Sequence, residues 1–309
     1  MRLLLVVNTA ASSVTARARV VIQKALSADH DVVLKETNRR GHAARLAQGA
    51  AADGLDVVVV LGGDGTLNEA ANGLAGTGTA LAVLPGGSTN VFARTIGMAN
   101  DPIEATSQLM SALAARSLEQ VGLGQANSRY FLFHAGIGFD AAVVSRVEKL
   151  APLKRYTGPA VFVVATLLTW ARGYDRKGPV FSVQGDGVLV EGAAFAIGMN
   201  TDPYTFFGNR PMNVAPGTSL GTPLSLVVFD RLTLASVVPV LAAAFRGGLP
   251  KDRGAHVSVV RSVRSATITG GRPLPYQLDG DYVGEAEQIE LRWAAASLWL
   301  VMPVGIKTR

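Results

Sequence analysis

Asp56-Val-Val-Val-Val-Leu61, running straight into Gly62-Gly-Asp-Gly-Thr-Leu-Asn-Glu69, decides how this chain folds. Six residues without a polar alternation predict a strand buried on both faces, the mark of a parallel sheet covered by helices. The glycines then let the chain turn tightly into a helix over Leu67–Leu74. Working outward, Arg2–Val7, Asp31–Glu36 and Ala80–Leu84 read as further strands. Val14–Leu26, Gly41–Ala52 and Pro102–Ala115 read as helices between and after them. Strand–helix alternation at this spacing predicts a doubly wound α/β domain over the first 123 residues.

Beyond Leu123 the pattern changes. Tyr130–Ala135 reads as a strand and Asp140 to about Gly173 as a long helical region. Short β-like runs follow at Val180–Gln184, Val188–Met199, Pro223–Phe229, Ala255–Val260, Ala266–Thr269, Gln288–Trp293 and Ser297–Met302, broken by one helical pattern at Leu234–Phe245. Such a series predicts an antiparallel β-sandwich. The fold class is therefore α/β plus all-β, in two domains.

Composition limits the function. The chain has no cysteine, and its four histidines are scattered, which argues against disulfides, thiolate metal sites and a zinc enzyme. The richest apolar run, Gly158–Trp170, is about a dozen residues, short of the roughly 20 that cross a bilayer. The N-terminus has no signal-peptide core, so the chain reads as cytoplasmic. A formal net charge of +6 favours anionic partners. Nucleic acid is not expected, because neither aromatic interleaving nor a recognisable module accompanies the charge.

Gly62–Thr66 sits at the carboxyl end of a strand, where ligands bind in open α/β sheets. Its backbone N–H groups and the following helix N-terminus suit an anion such as phosphate. Asp64 repels phosphate unless Mg²⁺ accompanies it, or unless the carboxylate takes a proton from an attacking hydroxyl. The bland reading is a turn whose Asp64 and Thr66 cap the helix. Pro85-Gly86-Gly87-Ser88-Thr89-Asn90 repeats the layout after the next strand, either as a turn or as a second phosphate-lining loop, with Asn90 capping the short helix that carries Arg94. Tyr276-Gln-Leu-Asp-Gly-Asp281 places Asp279 and Asp281 around a glycine, either as a simple hairpin turn or as a carboxylate pair with a chemical role. No GxxxxGK[ST] occurs, GGSTN lacks the last glycine of a nucleophile elbow, and Gly136–Ala141 has no acidic residue about 20 positions on.

Taken together these residues resemble the diacylglycerol kinase catalytic-domain family, which includes bacterial lipid kinases and is related to sphingosine kinases. GGDGTLNE at 62–69, PGGSTN at 85–90, Gly138-Phe139-Asp140 and Gln277–Asp281 carry the likeness. Asn8 with Ser12 and Ser13 resembles the first nucleotide loop, and Thr37 with Gly41-His42-Ala43 the stretch beside adenine. The resemblance implies an NAD kinase/phosphofructokinase-like ATP-binding domain, 1–123 with a returning tail 295–309. It likewise implies a lipid-substrate β-sandwich domain, 124–294.

The implied reaction is γ-phosphoryl transfer from ATP to a lipid hydroxyl, diacylglycerol first among the acceptors. Asp281 would accept the proton, Asp279 would assist, and Asp64 would organise Mg²⁺ or share the base role. Asn8, Ser12, Thr37, Gly62, Gly63, Asp64, Gly65, Thr66, Asn68, Glu69, Gly87, Ser88 and Thr89 would line the nucleotide. Two departures stand out. Asp281 replaces the family's glutamate, and Ser219–Ser225 lacks the carboxylates that hold a structural metal in relatives, so that metal is expected to be absent. NAD kinase, which also uses a GGDGT loop, and a nucleotide-binding regulator without catalysis are the rival readings. Contact would be peripheral, at the inner membrane face. Arg146, Lys149, Lys154, Arg155, Arg172, Arg176 and Lys177 form either a face that docks on anionic lipid or an ordinary solvated helix face, and an exposed sheet edge suits a homodimer.

Overall fold

A computed structural model describes residues 1–138, 181–186, 188–231, 233–248 and 256–306. The chain divides into two compact units, Met1–Leu123 with Ala295–Arg309, and Gly124–Ala294.

The first unit alternates β1 (Arg2–Val7), α1 (Ala16–Ser27), β2 (Asp31–Glu36), α2 (His42–Ala52), β3 (Val57–Gly62), α3 (Asp64–Leu74) and β4 (Ala80–Pro85), followed by the short α4 (Val91–Thr95) and α5 (Pro102–Ala114). The strands lie parallel in the order β4-β3-β1-β2, with Val7 level with Leu61 and Glu36, and Leu61 level with Leu84. β3 and β4 are buried along their whole length, as their unbroken apolar runs require. α1 packs with α5 and α2 with α3, one pair on each face of the sheet. Between β1 and β3 the connections change direction, which opens a crevice at the carboxyl ends of those two strands. The last part of β16 (Asp281–Val301) adds a fifth parallel strand, with Leu300 level with Leu81.

Among the described residues the second unit is all-β apart from α6 (Leu234–Ala244). Its strands run β14 (Val257–Val263), β13 (Leu224–Phe229), β10 (Phe195–Met199), β7 (His134–Gly138), β15 (Ser265–Leu278), β16, and all neighbours are antiparallel. β8 (Phe181–Gly185) pairs the first half of β15, and β9 (Val188–Ala193) pairs β8. Alternate residues of β13 (Leu224, Leu226, Val228) share one core with Phe181, Val183, Ala266 and Ile268, so the two stretches of sheet face each other as a sandwich. The opposite residues of the β10–β13 layer (Ile197, Met199, Val227, Phe229) pack under α6. Burial on both faces is why β13 reads as a continuous apolar run.

Several boundaries differ from the expectation. α3 begins at Asp64 rather than Leu67, so Asp64, Gly65 and Thr66 form its first turn, where an acidic side chain suits the helix dipole. Tyr130–Ala135 is not one strand. β6 (Arg129–Phe131) stops and β7 restarts at His134 because the Asp279 carboxylate draws off the amides of Leu132, Phe133 and His134 at 2.7, 2.9 and 3.1 Å. Val188–Met199 splits at Ala194, where the chain leaves β8 for β7 and β13. Conversely, Gln288–Trp293 and Ser297–Met302 belong to the single strand β16. Leu118–Ala126 is a strand, β5, that the sequence pattern did not announce. The helical region expected over Asp140–Gly173, with its basic cluster, lies outside the described residues.

Candidate active site

In the first unit, the ends of β1, β3 and β4 bring three loops together at the crevice. Asn8 follows β1. Its backbone N–H donates to Leu61 O at 3.0 Å, and its Nδ2 donates to Thr66 Oγ1 at 2.8 Å. Gly86 N donates to Gly62 O at 2.8 Å, so the strand ladder continues one step past the strands. A Cβ on Gly86 would stand 2.8 Å from the Cα and N of Gly62, and one on Gly87 would stand 2.9 Å from the Cα of Gly63. Only glycines let the two loops lie backbone to backbone.

Ser13 ties the first loop to the third. Its N–H donates to Gly86 O at 2.9 Å and its Oγ to Gly87 O at 3.1 Å. Ser12, the neighbour chosen from sequence, is exposed and makes no hydrogen bond among the described residues. Thr37, half-buried after β2, donates its N–H to Val7 O at 2.9 Å. Ser88 is exposed and Thr89 half-buried at the tip of the third loop.

Asp64 has a specific structural task. Its Oδ2 accepts from Val91 N at 3.0 Å and its Oδ1 from Phe92 N at 3.1 Å, which caps α4 and clamps the second loop to the third. The expected cap, Asn90, does not serve. It sits at φ 49° and its side chain braces its own loop instead: Oδ1 accepts from Gly87 N at 2.7 Å, and Nδ2 donates to Gly87 O at 2.9 Å and Asn100 Oδ1 at 2.8 Å. Glu69 works similarly at a distance. Its two carboxylate oxygens accept from Gly41 N at 2.7 Å and Ala43 N at 3.1 Å, capping α2. Asn68 is buried and accepts from Asn72 Nδ2 at 2.9 and 3.2 Å. No side chain caps α3, so its first-turn amides, those of Gly65 and Thr66 among them, stand at an open positive helix end. Burial holds the Arg94 guanidinium below its ordinary value.

In the second unit, Asp279 and Gly280 form the two-residue turn between β15 and β16. Both have positive φ (52° and 81°), and Leu278 pairs with Asp281, as a type I′ hairpin requires. Gln277 is fully buried and its Oε1 accepts from Gly280 N at 2.8 Å. Asp279, also buried, accepts the three amides of 132–134, and its own N–H donates to His134 O at 2.9 Å. Asp281 opens β16 half-buried. His134 lies beside this turn with its ring 4.3 Å from that of Tyr204. Burial pushes its pKa down to about 3, so the imidazole is neutral at physiological pH. Gly138 ends β7 at φ 86°, while Phe139 and Asp140 lie outside the described residues.

Of Ser219–Ser225, Ser219–Thr222 is a self-bonded turn, Ser219 N donating to Thr222 Oγ1 at 3.0 Å, and Leu224 and Ser225 already belong to β13. The neighbouring Asp202, which sequence reading passed over, accepts from Val214 N and Ala215 N at 2.7 and 2.9 Å. Burial raises its carboxyl pKa, against these bonds and Arg261, which lower it. Among the described residues no three His, Cys, Asp or Glu side chains converge as a metal site, and no helix is long and apolar enough to cross a membrane.

Residues 2–124 match the family model of the diacylglycerol kinase catalytic domain. A diacylglycerol kinase of Bacillus subtilis (strain 168) is 27% identical over 271 residues, covering 85% of this chain and 84% of that protein. A crystal structure of a diacylglycerol kinase from Bacillus anthracis str. Sterne superposes with a TM-score of 0.73 at 20% identity, covering 99% and 98% of the two chains. An NAD kinase from Archaeoglobus fulgidus in complex with ATP superposes at 0.55 with 12% identity, covering 98% and 94%. The chain is similar to the diacylglycerol kinase catalytic-domain family, and it shares its fold with the solved structures.

Proposed function

We propose from this kinship that the chain is an ATP-dependent lipid kinase, moving the γ-phosphoryl group of ATP to a lipid hydroxyl, with diacylglycerol as acceptor and phosphatidic acid as product. The observation that carries the reading is the interlocked Gly62–Thr66 and Gly86–Thr89 pair at the open end of α3. It offers backbone N–H groups and a helix dipole to an anion, with no Cβ in the way. The first unit takes the nucleotide there, with Asn8, Thr37, Ser88 and Thr89 at its border, and the second unit takes the lipid.

The donor chemistry fits Mg²⁺ brought in with ATP, a hard cation that needs one or two carboxylates besides phosphate oxygens. Asp64 would hold it through lone pairs not given to Val91 and Phe92, and the ion would supply neutralisation of phosphate charge. Asp281 accepts the proton of the attacking hydroxyl. Asp279 fixes the turn that presents Asp281 and positions it without touching substrate. The enzyme works from the cytoplasm at the inner membrane face.

Purified protein given γ-labelled ATP, Mg²⁺ and a panel of lipids in mixed micelles tests the reading. Label is expected on diacylglycerol. Asp281→Asn should lower kcat by roughly 10²–10⁴, as removal of a general base does, while ATP affinity stays within a few-fold. Transfer to NAD rather than lipid would select the rival enzyme. ATP binding without any transfer would select the regulator.

A further inference from the structure

Among the described residues of the second unit, a cluster of exposed apolar side chains surrounds the outer face of α6. The helix Leu-Ala-Ser-Val-Val-Pro-Val-Leu-Ala-Ala-Ala has no charged residue. Its inner side chains Val240, Ala243 and Ala244 pack on the β10–β13 layer. Val238, Leu241 and Phe245 follow at helical spacing on the other side, 56%, 43% and 47% exposed. A surface helix normally turns a polar face to water, so a helix apolar on both faces signals a non-aqueous neighbour. The hairpin of β11 (Thr205–Phe207) and β12 (Arg210–Met212) extends the patch. Phe207 is 56% exposed, and its ring meets that of Phe245 edge-on, centroids 6.4 Å apart.

Charge names the occupant. Arg210 closes the hairpin turn beside Phe207, and Arg246 directly follows Phe245. Both are exposed, and neither pairs with a carboxylate among the described residues. Residues 204–212 and 233–248 contain no Asp or Glu. We infer that this patch docks the second unit on an anionic phospholipid surface, Phe207, Val238, Leu241 and Phe245 entering the interface while Arg210 and Arg246 meet headgroup phosphates. A second copy is a poorer occupant, because a two-fold interface would set these arginines against their own copies. The choice of lipid as occupant rests on the lipid-kinase reading; the exposed, acid-free patch does not.

Sedimentation of the full chain with phosphatidylcholine vesicles, with and without phosphatidylglycerol, tests the inference without ATP or catalysis. Binding is expected only with phosphatidylglycerol and should fall as salt rises. Phe207→Ser/Phe245→Ser should weaken it at least about ten-fold, and Arg210→Gln/Arg246→Gln roughly five-fold per arginine. The serine variant should keep the wild-type Tm, its rings being half exposed, and the wild-type rate on a short-chain, water-soluble diacylglycerol. Val238→Ser probes the same face without touching the ring pair. Unchanged vesicle binding in the serine variants overturns the inference. So does equal binding to pure phosphatidylcholine, or a loss of dimer mass in the serine variant. If the wild type transfers no phosphate yet binds anionic vesicles through these residues, the kinase reading falls and the docking surface stands.

Discussion

At the scale of single residues, two of the three acidic side chains first chosen for chemistry, Asp64 and Asp279, hold backbone in place. Asp279 is the clearest case, because three amides converge on one buried carboxylate and the strand between Phe131 and His134 breaks to allow it. Asp279→Asn tests that role cleanly. Asparagine tolerates the positive φ of this position, so backbone strain does not confound the result. Its NH₂ group, however, opposes one of the three N–H donors and strands it. The loss should be on the order of 3 kcal/mol, given charge-assisted bonds and one buried unsatisfied donor. For a unit of this size that is a fall of about 6–12 °C in its thermal transition. Equal transitions for wild type and Asp279→Asn would return Asp279 to the chemical role that resemblance implies.

At the scale of elements, the glycines of the two loops are set by backbone proximity as much as by any ligand. Gly86→Ala would place a methyl group 2.8 Å from the Gly62 backbone, which has no flexible end to yield. It should destabilise the first unit by about 1–3 kcal/mol, as overpacking does. It should also weaken ATP binding, since the loops must part. Gly49→Ala is the matching control. Gly49 lies within α2, exposed, with nothing within 4 Å of the added methyl, so the same change should stabilise by roughly 0.5–1 kcal/mol. Denaturant unfolding of both variants checks the opposite signs, and a stable Gly86→Ala protein would show that the loops have slack. β1 and β2 were legible to the residue because their ends are marked by an apolar run meeting polar or turn residues. The start of α3 was not, since a Gly-Asp-Gly-Thr turn and a first helical turn share one composition. The break between β6 and β7 was invisible because its cause, Asp279, lies 145 to 147 residues away. The bracing role of Asn90 was hidden for the same reason, its partner Asn100 being brought close by folding rather than by local sequence.

At the scale of the whole molecule, the first unit is made of two pieces of chain far apart in sequence. The strand pattern alone put Ser297–Met302 in the series of the β-sandwich; resemblance assigned it to the first unit, and Leu300 stands level with Leu81 of β4. In that position Leu298, Leu300, Val301 and Met302 are almost fully buried, at 0%, 0%, 3% and 2% exposure. Burying one such side chain contributes about 1.5–3 kcal/mol. Four of them therefore contribute as much as a domain's entire margin of about 5–15 kcal/mol. Further ties come from Met302 N to Ser117 O at 2.9 Å and from Gly76 N to Ser297 O at 2.8 Å. Residues 1–123 expressed alone should accordingly be unfolded or aggregate, with little dispersion in their amide NMR spectrum. Adding residues 295–309 in trans as a peptide, or in cis through a flexible linker, should restore dispersion and ATP binding together. If 1–123 alone gives a dispersed spectrum and binds ATP, the returning strand covers the sheet without being needed to form it.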